Sequence, residues 1–526
     1  MKKTLLSMLA LAGALTMNAQ NPFAYGLTGE FTAADNAASL KVNYALNTAA
    51  DAVTLQVLKD GEVVAEETGL GATKGTHTAT IDLTTLLSGA EYYGNYTWQI
   101  AVTGGATSGS LSLYKTWLFY HPSGLDVDNS FESPSFGTIF VAEGYNDGKT
   151  SNNSGTYESA QANGADGGGL YMFTPELTNI TKQDGTKRFF PDFLTFNKKD
   201  ITDGSSYYGA DFSKVAVAED GRIFVSRFNL QGDYILSAPS VADLVENGDF
   251  TSLVAGKTMT DAIYNDANNN FLVGPIQSMD VKGSGENTKI IAVTRADNTM
   301  SIGFAKNRVV EYNIGNESEL VSAISYNKLD GNSVYAYFRN ANVVYDNRGG
   351  VWLCQYQSQA DNLVYVNASG VMTTIASKTS LYRRGAISVS PDGTMLVVAG
   401  PTAKYFTVYN INYNEDGTVS LDDVESISTA ANNTYSAAWD CAGNVYIGNA
   451  TNEWVKGYAV PRADNTFATK AASKYAFVID AATAIDAIEA ENAPVEYYNL
   501  QGVKVENPSN GIFIKKQGAK ATKVVL

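Results

Sequence analysis

The chain has 526 residues, of which 44% are hydrophobic and only 17% charged, with a formal net charge of −17. At roughly 150 residues per domain this length allows about two to four domains, each with a core. The acidic balance excludes a nucleic-acid or anionic-membrane surface built on clustered Lys and Arg. With only 2 His in the whole chain, a Ser-His-Asp triad or a multi-His zinc site has too few parts.

In chain order, Lys2 and Lys3 form a positive start and Thr4 to Thr16 an apolar run of secretory length, shorter than a bilayer span. Small Ala19 follows, so residues 1–19 read as a signal peptide and Gln20 as the first residue of the exported chain. No Cys stands at that point, which argues against a lipoprotein. The protein is therefore expected outside the cytoplasm: extracellular, on the outer-membrane surface, or in the periplasm.

Residues 20–113 read as a separate β-sandwich. Strand candidates are Leu40 to Leu46, Val53 to Lys59, Glu62 to Glu66, Thr76 to Asp82 and Tyr96 to Val102, several alternating with period two. Asp60-Gly61 makes a hairpin turn. Val53-Thr-Leu-Gln-Val-Leu-Lys-Asp-Gly-Glu-Val, then Gly75-Thr-His-Thr and Gly94-Asn-Tyr-Thr-Trp resemble the Ig-like module of flagellar hook-capping proteins. The resemblance implies a spacer or adhesion module rather than a catalytic one.

From about residue 135 to 460 a unit recurs: an apolar strand, a tight Asp/Gly/Asn turn, then a second apolar strand. Val215 to Val225, Ile387 to Val397, Val343 to Leu353 and Ala437 to Ile447 show it, and Met279 to Val293 repeats it with a longer turn. A third strand follows each hairpin, such as Arg308 to Tyr312 and Trp454 to Tyr458. The later copies recur at the 40–50-residue period of propeller blades, and the earlier ones imply insertions. Six blades over 114–480 is the expectation; a chain of separate sandwiches is the alternative. The strand near Lys115 to Tyr120 is expected to close the ring with strands from the far end, Tyr475 to Ile479. Cys354 falls in a strand and Cys441 in a turn two blades away, too far apart for a disulfide.

Residues 481–493 read as a linker and 494–526 as a C-terminal sorting or anchoring β module. Tyr498-Asn-Leu-Gln-Gly502 followed by Asn510-Gly-Ile-Phe-Ile514 resembles the tail module of secreted Bacteroidetes proteins, including type IX secretion cargo. That resemblance implies outer-membrane export machinery as a partner. Sandwich, propeller and tail together resemble the secreted propeller proteins of gut and oral Bacteroidetes. The fold class is thus all-β: an Ig-like sandwich, a six-bladed propeller and a short C-terminal β module.

The residues name no catalytic centre. His121 precedes Pro122-Ser-Gly and reads as a surface-turn residue, and no phosphate-binding glycine loop is present. Calcium is the one metal the sequence admits, at the oxygen-rich runs Asp126 to Asn129, Asn265 to Asn270 and Asn414 to Gly417; turn chemistry accounts for the same residues. Binding is the remaining class. Tyr145, Tyr157, Tyr207, Tyr208, Tyr264, Tyr382, Arg383 and Arg384 lie in propeller loops. Aromatic faces beside Asn, Asp and Arg suit a glycan or an extracellular protein partner. The alternative is a glycan-active hydrolase or lyase that uses propeller carboxylates.

Overall fold

A computed structural model describes residues 20–34, 37–119, 122–143, 169–180, 212–227, 235–248, 250–253, 276–294, 306–316, 322–325, 335–337, 342–354, 361–377, 386–400, 404–430, 434–480, 493–518 and 520–526. Residues 1–19, His121 and the Asn265 to Asn270 run lie outside them.

The N-terminal segment makes two sheets around one core. Period-two alternation drives it: Ala37–Leu46 turns Ala38, Leu40, Val42 and Tyr44 inward, and Gly94–Thr103 turns Tyr96, Trp98, Ile100 and Val102 inward. These side chains form one apolar cluster with Val53, Leu55 and Val57. One sheet joins Ala24–Ala34, Ala37–Leu46 and Gly75–Asp82; the other centres on Ala52–Lys59, flanked by Glu62–Thr68 and Gly94–Thr103. The Asp60-Gly61 turn holds both residues at positive φ, +53° and +88°, as a tight hairpin requires. Gly29 is glycine for a different reason, since a Cβ there would lie 2.9 Å from the Trp98 ring.

The second sheet is finished by the far end of the chain. Thr466–Lys470 and Phe477–Ile479 both pair antiparallel with Gly94–Thr103. Phe477 stacks on Phe31 (centroids 5.0 Å apart) and Tyr96 (5.3 Å), and the Trp98 Nε1–H donates to the Tyr475 carbonyl at 2.9 Å. This corrects the expected ring closure through Tyr475 to Ile479, and with it the expected end of the propeller at 480. Those apolar residues are used where the sandwich lacked an edge and a lid.

Between these two contributions to the sandwich, the described residues form six sheets that follow one another. Blade 1 contains Pro122–Val127, Ile139–Glu143 and Gly169–Phe173. Blade 2 contains Phe212–Val217, Ile223–Arg227, Ile235–Ala238 and Thr251–Ser252. Blade 3 contains Ile276–Lys282, Lys289–Thr294, Lys306–Asn313 and Ser322–Ser325, with Tyr335–Tyr337 also paired to its third strand. Blade 4 contains Asn342–Tyr345, Val351–Cys354, Asp361–Val366 and Met372–Ser377. Blade 5 contains Ile387–Val389, Met395–Gly400, Tyr405–Tyr413 and Val419–Ser428. Blade 6 contains Thr434–Trp439, Asn444–Asn449 and Trp454–Ala459, and its outer strand is Ser112–Leu118, taken from before blade 1. The first strands of successive blades pack side by side, and that of blade 6 packs on that of blade 1, so the ring closes. The fold is an all-β propeller. Closure depends on the pairing of Ser112–Leu118 with Trp454–Ala459, which buries Trp117 against Phe173 and Tyr446. The apolar clusters lie between blades, which is how stacking buries both faces of a small sheet. Cys354 and Cys441 are buried thiols and form no disulfide, as their places in the repeat imply.

Sandwich and ring meet at a polar seam. The Asn21 N–H donates to Asn444 Oδ1 (2.7 Å), and its side-chain amide donates to the carbonyls of Ala442, Gly443 and Val460. Asn444 and Asn47 both return a bond to the Asn21 carbonyl. Beside it, Phe23 packs on Phe136, Cys441 and Ala442. The sandwich thus covers the ring at the turns that join first and second strands in blades 1 and 6.

The C-terminal segment is a four-stranded sheet in the order Lys504–Val505, Glu496–Tyr498, Ile512–Gln517, Lys520–Val525. None of its described residues is buried, and Leu500, Val503 and Val525 are largely exposed.

Candidate functional site

The antiparallel meander sorts the connections of the ring between its two faces. Turns after each first strand lie on the face that meets the sandwich. The described ends at which first strands begin, second strands finish and third strands begin open on the opposite face. Tyr145 and Tyr157 fall between Glu143 and Gly169, Tyr207 and Tyr208 before Phe212, Tyr264 before Ile276, and Tyr382, Arg383 and Arg384 before Ile387. All eight lie outside the described residues. The strand ends that flank them all open on the face opposite the sandwich.

Along the axis the first strands enclose a polar channel with a cavity of about 120 Å³. Three charged side chains line it: Asp126 of blade 1, Lys214 of blade 2 and Asp280 of blade 3. Asp126 and Asp280 hold the same register, paired with Phe140 and Ile291 on their second strands. Each carboxylate bridges to the next blade. Asp126 Oδ1 accepts the Val127 N–H and Oδ2 the Val217 N–H, both at 2.8 Å. Asp280 Oδ1 accepts the Val281 N–H at 2.9 Å and Oδ2 the Tyr345 N–H at 2.7 Å. The third pair of blades uses a different bond, from Trp439 Nε1–H to the Ser388 carbonyl at 3.1 Å. The alternate junctions carry hydroxyls: Ser213 to the Ile276 carbonyl and Ser436 to the Pro122 carbonyl. The Lys214 ammonium reaches the carbonyls of Ser123 (2.7 Å) and Tyr435 (2.5 Å), tying blade 2 to blades 1 and 6.

Packing around the channel disfavours each charge. Burial, followed by the neighbouring Asp280 charge, holds Asp126 well above the usual carboxylate range. Burial pushes Asp280 up to about 6, although two N–H donors pull the other way. Burial alone draws Lys214 down to about 7.

These carboxylates act as stitches. Every oxygen is engaged by backbone N–H, and the cavity has room for only a few waters. Because Asp280 binds its proton more tightly folded than unfolded, its contribution to stability is fullest below about pH 4. It declines as the pH rises to about 6, by up to about 3 kcal/mol. Asp280→Asn keeps an acceptor for Tyr345 and removes that dependence. Denaturant titrations at pH 4 and pH 8 are expected to show the variant gaining on the native protein at the higher pH. A pH-independent difference would count against a buried, titrating Asp280.

In the two described oxygen-rich runs, Asp128 and Asp416 serve turns. Asp128 accepts from the Ser130 N–H and the Ser133 and Ser135 hydroxyls, and Asp416 accepts the N–H and hydroxyl of Thr418. Among the described residues no group of three or more His, Cys, Asp or Glu could hold a metal ion. His77 stacks on Tyr44 at 5.2 Å, with Nε2 2.6 Å from the Thr73 carbonyl oxygen.

No protein-family model matches the chain, and no curated protein sequence matches it. Among solved structures, a protein of unknown function from Bacteroides thetaiotaomicron aligns at 11% identity, covering 83% of this chain and 98% of its own, with a TM-score of 0.39. The periplasmic gluconolactonase of Pseudomonas aeruginosa aligns at 14% identity over 70% of this chain and 89% of its own, TM-score 0.36. The WD40 β-propeller domain of Doa1 aligns at 10% identity over 70% and 89%, TM-score 0.33.

Sequence reasoning missed Lys214 and Asp280, and saw Asp126 only as part of an oxygen-rich run rather than as an axial residue. The available signal was a charge in the middle of an apolar first strand, as in Leu125-Asp-Val127 and Met279-Asp-Val281, where other blades carry Ala216, Val344 or Ala438.

Proposed function

We propose that this is an exported, non-catalytic binding protein whose open propeller face recognises a glycan or an extracellular protein partner. The observation that carries the reading is the division of the ring into two faces. One meets the sandwich, and the described strand ends that flank the candidate aromatic and arginine residues open on the other. Such a face gathers loops from several blades into one recognition surface, as binding on rigid scaffolds requires. The scarcity of His and the full engagement of the axial carboxylates support binding over hydrolysis or lysis.

The signal-peptide pattern supports export. The tail sheet, with apolar side chains exposed and none of its described residues buried, supports a docking module for outer-membrane export or attachment machinery, since so small a sheet gains stability chiefly from a partner.

A glycan array probed with the exported protein tests the binding reading. Binding is expected to fall at least tenfold, or about 1.4 kcal/mol, in a Tyr382→Ala, Arg383→Ala, Arg384→Ala triple variant. A bound glycan or protein whose affinity is untouched by changes across all eight residues would place the site elsewhere.

A further inference from the structure

We infer that two edge strands of this chain are the complementary halves of a self-association surface: the tail strand Lys520–Val525 of one copy adds antiparallel to the sandwich strand Glu62–Thr68 of another. The inference goes beyond the docking of the tail to export or attachment machinery, and it requires only that the tail remain on the chain.

Each strand ends its sheet. Among the described residues, Glu62–Thr68 pairs only with Ala52–Lys59, and Lys520–Val525 only with Ile512–Gln517. Both edges face solvent. Glu62, Val63, Glu66, Glu67 and Thr68 are exposed on the first, and Ala521, Thr522, Lys523 and Val525 on the second. In the tail the direction of the free groups is fixed. The Leu526 N–H donates to the Gly511 carbonyl and the Leu526 carbonyl accepts the Gly511 N–H. By the alternation of an antiparallel ladder, the backbone groups of Lys523 and Val525 therefore point away from the tail sheet. A row of such groups is a template for one more strand.

Charge decides which strand fits. Glu62–Thr68 carries three Glu and no Lys or Arg, whereas residues 520–526 carry Lys520 and Lys523 and no Asp or Glu. Each edge repels a copy of itself and attracts the other. The same contrast holds more widely. Residues 493–526 contain five Lys and two Glu, a net +3 on a chain of net −17, so another copy offers this tail an acidic surface. The apolar residues agree with the charges. With Val525 opposite Val64 or Ala65 in an antiparallel pairing, Lys523 falls opposite Glu66 or Glu67. In the first of these registers the exposed Leu526 meets the exposed Val63. The two edges differ, so the contact is heterologous, and copies add head to tail past the dimer unless the rotation closes a ring. A pairing this short makes a weak interface, dependent on concentration and loosened by salt.

Sedimentation velocity over a concentration series tests this on the full chain and two variants. Glu66→Lys with Glu67→Lys makes the sandwich edge basic, and Lys520→Glu with Lys523→Glu makes the tail edge acidic. The native chain is expected to associate reversibly. Each variant alone is expected to associate roughly tenfold or more weakly, because attractive cross-strand pairs become repulsive. An equimolar mixture of the two is expected to recover association, since each supplies the edge that the other has lost. Thermal melts like that of the native chain establish that both variants are folded. Variants that associate as the native chain does, or a mixture no stronger than its components, would overturn the inference. So would a native chain that stays monomeric at every concentration, as when the tail docks on its own sandwich. Surface retention of a chain lacking residues 493–526 tests the docking reading separately, because it does not involve Glu66 or Glu67.

Discussion

Residues 20–111 expressed alone are expected to show no cooperative thermal transition, whereas the same segment fused through a flexible linker to residues 461–480 is expected to melt cooperatively. Without the far-end strands, Gly94–Thr103 loses its partners along one edge. The buried rings of Tyr96 and Trp98 lose Phe477 and the Tyr475 carbonyl. Phe477→Ala alone removes a stacked, buried phenyl and is expected to cost about 3–5 kcal/mol. Losing both strands exceeds that, a large part of the roughly 5–15 kcal/mol that stabilises a typical domain. Circular dichroism melts of the two fragments decide the matter, and a cooperative melt from 20–111 alone would show that the far-end strands are dispensable. The arrangement also links the two ends of the propeller segment. The chain leaves the sandwich to build the ring and returns to complete the sheet it left.

Asp440→Ala is the single substitution expected to do most damage to the ring. Asp440 is buried in the first turn of blade 6 and accepts four hydrogen bonds. These come from the N–H groups of Ala442 (3.0 Å) and Asn444 (2.9 Å), the Asn444 side-chain amide (2.7 Å) and the Tyr446 hydroxyl (3.1 Å). Burial still pushes its pKa up to about 6. Alanine leaves these donors without their acceptor and frees Asn444, whose side chain holds Asn21 at the seam. The expected loss is about 3–5 kcal/mol by urea titration. Asp440→Asn, which keeps one carbonyl acceptor, is expected to lose less. A loss below about 1 kcal/mol for the alanine variant would mean that the turn holds without its carboxylate.

The ring was legible in the sequence because its signal is local. An apolar strand, a turn such as Glu219-Asp-Gly-Arg222 and a second apolar strand can be recognised wherever they recur, and the structure pairs the two strands at each such place. The closing partner was not legible, because edge pairing over more than 300 residues leaves no local mark. Phe467, Phe477 and Ile479 would suit any open sheet edge, and the choice fell to the sheet that lacked one. The axial residues were hidden for a similar reason. Asp126 looks like one member of an oxygen-rich run and Asp280 like an ordinary strand residue until the ring brings Asp126 beside Val217 and Asp280 beside Tyr345. Asn21 and Asn444 likewise look like surface residues, yet their side chains form the seam.

The reading of the chain as a binder rather than an enzyme is tested most directly by following reducing-end release from the glycans it retains. The account predicts saturable, stoichiometric binding with no new reducing ends, at any pH between 5 and 8. Release that continues past one equivalent per protein molecule would contradict it and turn attention back to the propeller carboxylates.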